Sequence, residues 1–271
     1  MRKNFAEVLK ENKINIRLEY DKLYSILYNK NIWLPNGQFI SLHDLINSNF
    51  MTVSFRKTCL SLDEFDNANG FRFTQFPQEV DLEMLVSISE YIWNMLQSIQ
   101  NQITCTYPPL INVNLYYQQI LAVVESIGYM LQNQDGYSII VPKDNVAISV
   151  SESSLIPEKI SYKVIEYNHH LNKGNIEGKK EILLKLTELL EPRRKELSNQ
   201  LSSDLFYLIN NFNIRHNNID PKNNPKYNDK FVEMSEKELE HIYDEVYQMC
   251  LLAFMELEHI ERKGWIDEMK K

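Results

Sequence analysis

Residues 209–218 read Ile-Asn-Asn-Phe-Asn-Ile-Arg-His-Asn-Asn. An arginine, a histidine and a run of amides meet there, and those residue types suit phosphodiester chemistry that needs no metal. An imidazole takes or gives a proton near neutral pH. A guanidinium stabilises the charge that develops on a phosphate under attack. The candidate catalytic residues are therefore His216, Arg215 and Asn211, and the amides Asn210 and Asn217 flank them. Arg193 and Arg194 belong to a basic cluster with Lys179, Lys180, Lys185 and Lys195, which offers further contact to an anionic substrate. A structural reading of the same residues stands beside this one. Asparagines end helices because they tolerate left-handed backbone, and Arg and His near a helix C-terminus complement its dipole. Glu177, Glu181, Glu188 and Glu191 interleave with the basic cluster and can pair with it one turn away.

The elements that must carry these residues are helical. Leu197, Leu201, Leu205, Leu208 and Phe212 recur at three- and four-residue spacing. Continuing that stripe by three reaches Arg215, so the pattern predicts the guanidinium on a core-facing line. There it must pair with an acid, reach solvent or line a cleft. A polar loop over 217–227 separates this helix from a last, long one. Ser235-Glu-Lys-Glu238 opens the last helix as a capping box, and Leu239, Ile242, Val246, Met249, Ala253, Leu257 and Ile260 form its stripe.

Upstream, helices are expected near 3–12, 15–29, 81–100 and 110–132, then 156–172 and 178–191. Ser41-Leu-His-Asp44 caps a short helix, and residues 50–78 are irregular, broken at Asp66-Asn-Ala-Asn-Gly70. Two β-branched runs, 137–141 and 146–150, flank Pro142-Lys-Asp-Asn145 and predict a hairpin over about 137–150. The fold class is all-α, a helical bundle with one inserted β-hairpin. Thr106-Tyr-Pro-Pro109 marks the best boundary, giving a 1–105 helical region and a 106–271 bundle domain.

Composition narrows the chemistry. The 271 residues include only 7 glycines, and no GxGxxG or GxxxxGK[ST] pattern occurs. Backbone cradles for nucleotide phosphates need such runs, so any phosphate contact must come from side chains. A net charge of −8 opposes non-specific nucleic-acid binding over the whole surface but leaves room for a local basic site. Three cysteines without a CxxC pair argue against a disulfide framework or structural zinc, and no apolar run is long enough to span a membrane. No secretory leader is read at Met1-Arg-Lys-Asn-Phe, and a cytoplasmic location is expected. A rival site comes from Glu166-x-x-His169, Glu238-x-x-His241 and Glu256-x-x-His259, the pairing of carboxylate di-metal bundles. The last two pairs share one helix about 27 Å apart, so a metal site would have to join Glu166 and His169 with one of them. His169-His170 itself reads as an exposed pair near a helix end.

A helix ending in LINNFNIRHNN, a polar loop, then a long helix beginning SEKELEHIYDEVYQ resembles the HEPN superfamily over roughly residues 110–271. The resemblance implies a helical bundle from a prokaryotic defence or toxin–antitoxin setting. It implies metal-independent RNA cleavage, a homodimer whose cleft spans two protomers, and a possible partner protein or antitoxin. No cofactor is called for. His216 then matches the catalytic His, Arg215 is the nearest match to the phosphate-stabilising Arg, and Asn211 and Asn217 position substrate, with Asn210 a further substrate contact. The family places its Arg four to six residues before the His; here those positions hold Asn210 and Asn211, and the Arg adjoins the His. Two readings from other classes stay open: a non-catalytic interaction module of a phage or mobile element, and a di-metal bundle enzyme.

Overall fold

Most of the chain's apolar residues recur at helical spacing, and eleven α-helices form among the described residues, with only two small two-stranded sheets. A computed structural model describes residues 14–104, 111–134, 136–218 and 227–271. The helix expected near 3–12, the Thr106–Pro109 boundary and most of the 217–227 loop lie outside the described residues. The chain divides into two compact units, Met1–Pro142 and Lys143–Lys271. The division falls at 142/143 and not after residue 105, because the elements following 110 pack with the first unit.

In the first unit, α1 (Ile16–Tyr28) is followed by a small hairpin, β1 (Ile32–Trp33) with β2 (Phe39–Ile40), turned at Gly37 with φ of 84°. The Ser41–Asp44 capping box opens α2 (Leu42–Ser48) as expected. Two 3-10 turns and α3 (Leu62–Asn69) fill the segment read as irregular. Asp66 and its neighbours do not break the chain; they form the last turn of α3, which ends on left-handed Gly70. The centre of this unit is α4 (Leu82–Thr104), with Leu85, Ile88, Ile92 and Leu96 fully buried. Next come α5 (Val113–Ser126) and a hairpin, β3 (Tyr129–Gln134) with β4 (Tyr137–Pro142).

That hairpin corrects two expectations. The helix read over 110–132 stops at Ser126, because Gly128 takes φ of 75° and the chain reverses into β3. β4 therefore pairs backward with β3, with Tyr129 opposite Pro142, and not forward with 146–150. The 146–150 run lies instead in α6 (Asn145–Ser151), where Asp144 caps the N-terminus through Val146 and Ala147 N–H. Tertiary packing overrides the β-propensity of that run. The outer edge of β4 is sealed by α4: Asn94 Oδ1 accepts from Ser138 N–H at 2.7 Å, Asn94 Nδ2 donates to Ser138 O at 2.8 Å, and Glu90 Oε2 accepts from Ile140 N–H at 2.7 Å. An edge strand left bare invites further pairing, and these side chains take the place of a third strand.

Among the described residues, the only regular elements of the second unit are helices. It holds α6, α7 (Glu158–Glu166), α8 (Ile176–Leu190), a 3-10 segment over Glu191–Glu196, α9 (Asn199–Asn211), the single turn α10 (Asp229–Val232) and α11 (Glu236–Met269). Pro192 stands in the first turn of the 3-10 segment, where its missing N–H is harmless. The core joins Leu183, Leu186 and Leu190 of α8, Leu205, Phe206 and Ile209 of α9, and Tyr243, Val246, Tyr247, Cys250, Phe254 and Leu257 of α11. The Ser235–Glu238 capping box opens α11. No helix among the described residues is long and apolar enough to cross a membrane.

Candidate functional site

The predicted site sits where α9 stops, and α9 stops earlier than its leucine stripe suggests. The helix ends at Asn211; Phe212 leaves helical geometry and Asn213 turns left-handed at φ of 56°. Asn is the non-glycine residue best suited to that region. Arg215 is therefore not on the core-facing line. Ile214, 2% exposed, takes the buried position, and Arg215 swings outward.

The asparagines explain why the helix can stop here. An α-helix leaves its last four carbonyls without intrahelical donors. Leu208 O receives Phe212 N–H at 3.0 Å and Ile209 O receives Arg215 N–H at 3.2 Å. Asn210 O receives Asn218 Nδ2 at 3.1 Å, and Asn211 O receives Asn228 Nδ2 at 2.9 Å. Two of the four donors are thus side-chain amides. The fully buried Asn218 also accepts Asn213 N–H on Oδ1 at 2.8 Å, which fixes the left-handed turn.

Each candidate residue now has a place. Arg215 is exposed and pairs with Glu191 at the end of α8, Nη1 to Oε2 at 2.5 Å. His216 follows it, half-buried. With the Asn213 amide oriented to satisfy both neighbours, its nitrogen donates to His216 O at 3.2 Å and its oxygen accepts from Lys180 Nζ at 3.2 Å. Asn211 turns its amide back onto Tyr207 O at 2.8 Å. Asn210 keeps its side-chain oxygen buried without a hydrogen bond among the described residues. Asn217 is exposed.

The structure thus brings Arg215 and His216 onto one turn with Lys180, whose part was hidden in the sequence among lysines of similar spacing. Glu191 was likewise read only as one of several interleaved acids. Its position, just before a proline that ends α8, is the signal that singles it out.

Arg193 and Arg194 are engaged elsewhere. Arg193 bonds Glu196 in its own 3-10 segment at 2.7 Å and Glu261 of α11 at 2.7 Å. Both carboxylates raise its already high pKa, the hydrogen bond to Glu196 most. Arg194 lies 4.3 Å over the Phe206 ring and donates to Ser202 Oγ at 3.3 Å. Both therefore bind the ends of neighbouring helices together.

Lys179 and Lys180 part ways on α8. Lys179 turns inward, its side chain 7% exposed, with Nζ 2.7 Å from Glu240 Oε1 and 2.7 Å from Asp244 Oδ1. Tyr167 donates to the same Asp244 oxygen at 2.9 Å and stacks on Tyr247 at 4.0 Å. Burial pushes the Tyr167 hydroxyl well above the ordinary phenol range, and Asp244 adds to it. The network ties α8 to α11.

The glutamates of the Glu-x-x-His pairs bond to nearby groups. Glu238 bonds Ser235 in the capping box, and Glu256 accepts from Ser198 N–H at 2.8 Å. Glu166 pairs with Lys163 at 2.6 Å. His169 is 7% exposed, a correction to the expected solvent-facing pair, and its Nδ1 caps the 3-10 turn His170–Asn172. Comparison of the chain with protein-family models, with curated proteins and with solved structures finds no match.

Proposed function

We propose that the 143–271 unit is a HEPN-like module that acts on RNA without a metal, in a prokaryotic defence or toxin-type setting. One observation carries the reading: Arg215 and His216 share a tight turn at a helix end, with Lys180 drawn in from the neighbouring helix through Asn213. A phosphate at Arg215 meets a guanidinium, and an adjacent 2′-hydroxyl meets an imidazole. In the step envisaged, His216 takes the 2′-hydroxyl proton and the oxygen bonds to phosphorus. The bond to the 5′-oxygen breaks, leaving a 2′,3′-cyclic phosphate and a 5′-hydroxyl protonated from water. The purified chain incubated with mixed RNA and chelator should yield cyclic-phosphate ends, and His216→Ala should abolish them. Cleavage that persists in His216→Ala removes the assignment.

A second reading, a non-catalytic interaction module, has its own support. The Asn211 amide and the last carbonyls of α9 are committed to ending a helix. Beyond Leu257, the last buried residue of α11, the helix continues to Met269 with Trp265 and Met269 exposed. Under this reading that end engages a second copy of the chain, and no RNA is cut. Light-scattering mass measurement of the chain and of Trp265→Glu with Met269→Glu, beside the RNA assay, separates the two.

A further inference from the structure

The guanidinium of Arg215 already holds an anion. Glu191 Oε2 lies 2.5 Å from its Nη1, in an ion pair that joins the ends of two helices 24 residues apart in sequence. The side chains are 42% and 39% exposed, so a solute can reach both partners. A carboxylate on a guanidinium offers the negative charge and acceptor oxygen that a phosphate offers the same group, here through one Nη1–Oε2 bond. The other arginines nearby in sequence are closed in different ways, Arg193 by two glutamates and Arg194 by Phe206 and Ser202. Lys180 bonds the neutral Asn213 amide. In the turn itself, then, the competition for an incoming phosphate is between that phosphate and Glu191.

We infer that Glu191 is an internal stand-in for phosphate, and that RNA engages Arg215 by displacing it. The inference rests on the reading of Arg215 as a phosphate-binding group and adds to it a regulating residue that family resemblance does not supply. An exposed pair of this kind holds its partners weakly, so the expected effect is modest. Removing the carboxylate should tighten binding about two- to fivefold. The gain should shrink as salt screens both the pair and the phosphate contact.

The test is fluorescence anisotropy of a labelled single-stranded RNA oligonucleotide with the full chain, chelator present, at low salt. Glu191→Gln should bind about two- to fivefold more tightly than the unaltered chain. Glu188→Gln, an exposed acid three residues earlier on α8 with the same change of charge, should not. Arg215→Ala should bind more weakly, and adding Glu191→Gln to it should restore nothing. Equal tightening by Glu188→Gln overturns the inference, because the gain is then general charge. Binding by the unaltered chain that Arg215→Ala weakens but Glu191→Gln leaves unchanged also overturns it, and leaves the phosphate reading standing. Absence of RNA binding by the unaltered chain and by Glu191→Gln alike overturns both. Circular dichroism of each variant verifies that the surface substitutions leave the fold intact.

Discussion

Asn218 holds Asn213 in a left-handed conformation: its Oδ1 accepts the Asn213 N–H at 2.8 Å while its Nδ2 reaches back to Asn210 O. One buried amide thereby satisfies a donor and an acceptor that the end of α9 leaves open. Asn218→Ala removes both bonds at a fully buried position. Each orphaned buried group costs about 1–3 kcal/mol, so a loss of about 2–4 kcal/mol is expected. Hydrogen exchange should speed up across the last turns of α9 and leave α4 of the other unit unchanged. Unaltered protection at α9 would mean that water or another group replaces the amide.

The candidate site was only partly legible in the sequence. Residue types proposed it, and the structure puts Arg215 exposed and His216 half-buried on one turn. The stripe, however, carried a helix through Arg215, because apolar periodicity continues past the point where the helix stops. What stops α9 is amide bonding from Asn218 and Asn228, residues that lie after the turn. Local propensity cannot see partners that distant. The capping boxes at Ser41 and Ser235, by contrast, were readable because both partners lie within four residues. The hairpin was half-readable: β4 has the β-branched run, while β3, Tyr-Met-Leu-Gln-Asn-Gln, has no strand signature and is held by its pairing with β4 and its packing on α5.

Gly128 and Gly264 test opposite sides of glycine's freedom. Gly128 holds φ of 75° at the reversal between α5 and β3, and a Cβ there meets no atom within 4 Å. Its substitution by alanine is therefore opposed by backbone strain alone, about 1–2 kcal/mol. Gly264 lies inside α11 with open space around it. Alanine at that position should add about 0.5–1 kcal/mol of helix stability and raise the ellipticity at 222 nm. Urea titrations of both variants should move in opposite directions. A shift of the same sign in both would show that strain at Gly128 is relieved by local rearrangement.

Cys250 and Cys59 should differ in reactivity. Cys250 is fully buried in the core of the second unit, and burial pushes its thiol well above the ordinary range. The thiolate is the nucleophile, so both access and ionisation are denied. Cys59 is half-buried in the other unit. Mass mapping after iodoacetamide at pH 8 should find Cys59 alkylated in the folded chain and Cys250 alkylated only in denaturant. Equal labelling of the two without denaturant would mean that the α11 core opens readily.

The Lys179 network sets a pH dependence whose sign can be worked out. Burial alone would raise the Glu240 carboxyl, but the Lys179 ammonium and the Gly174 N–H outweigh it and hold the group below its ordinary 4.5. A carboxyl lowered by folding adds stability above its unfolded pKa and loses that contribution as pH falls through its folded pKa. Thermal stability should therefore decline from about pH 5 downward, partly through this group. Lys179→Met leaves two carboxylates without their cation. Loss of one partner of a fully buried pair removes about 3–5 kcal/mol, and the half-exposed Asp244 brings the expectation here down to about 2–3 kcal/mol at neutral pH. The variant should also lose less on acidification, since its Glu240 no longer favours the ionised state. Replacing the carboxylates as well, as Lys179→Met with Glu240→Gln and Asp244→Asn, should recover part of the loss. Tm measured from pH 7 to pH 3 for the three proteins tests the scheme. Parallel pH profiles for the unaltered chain and Lys179→Met would show that the acid sensitivity arises in other carboxylates.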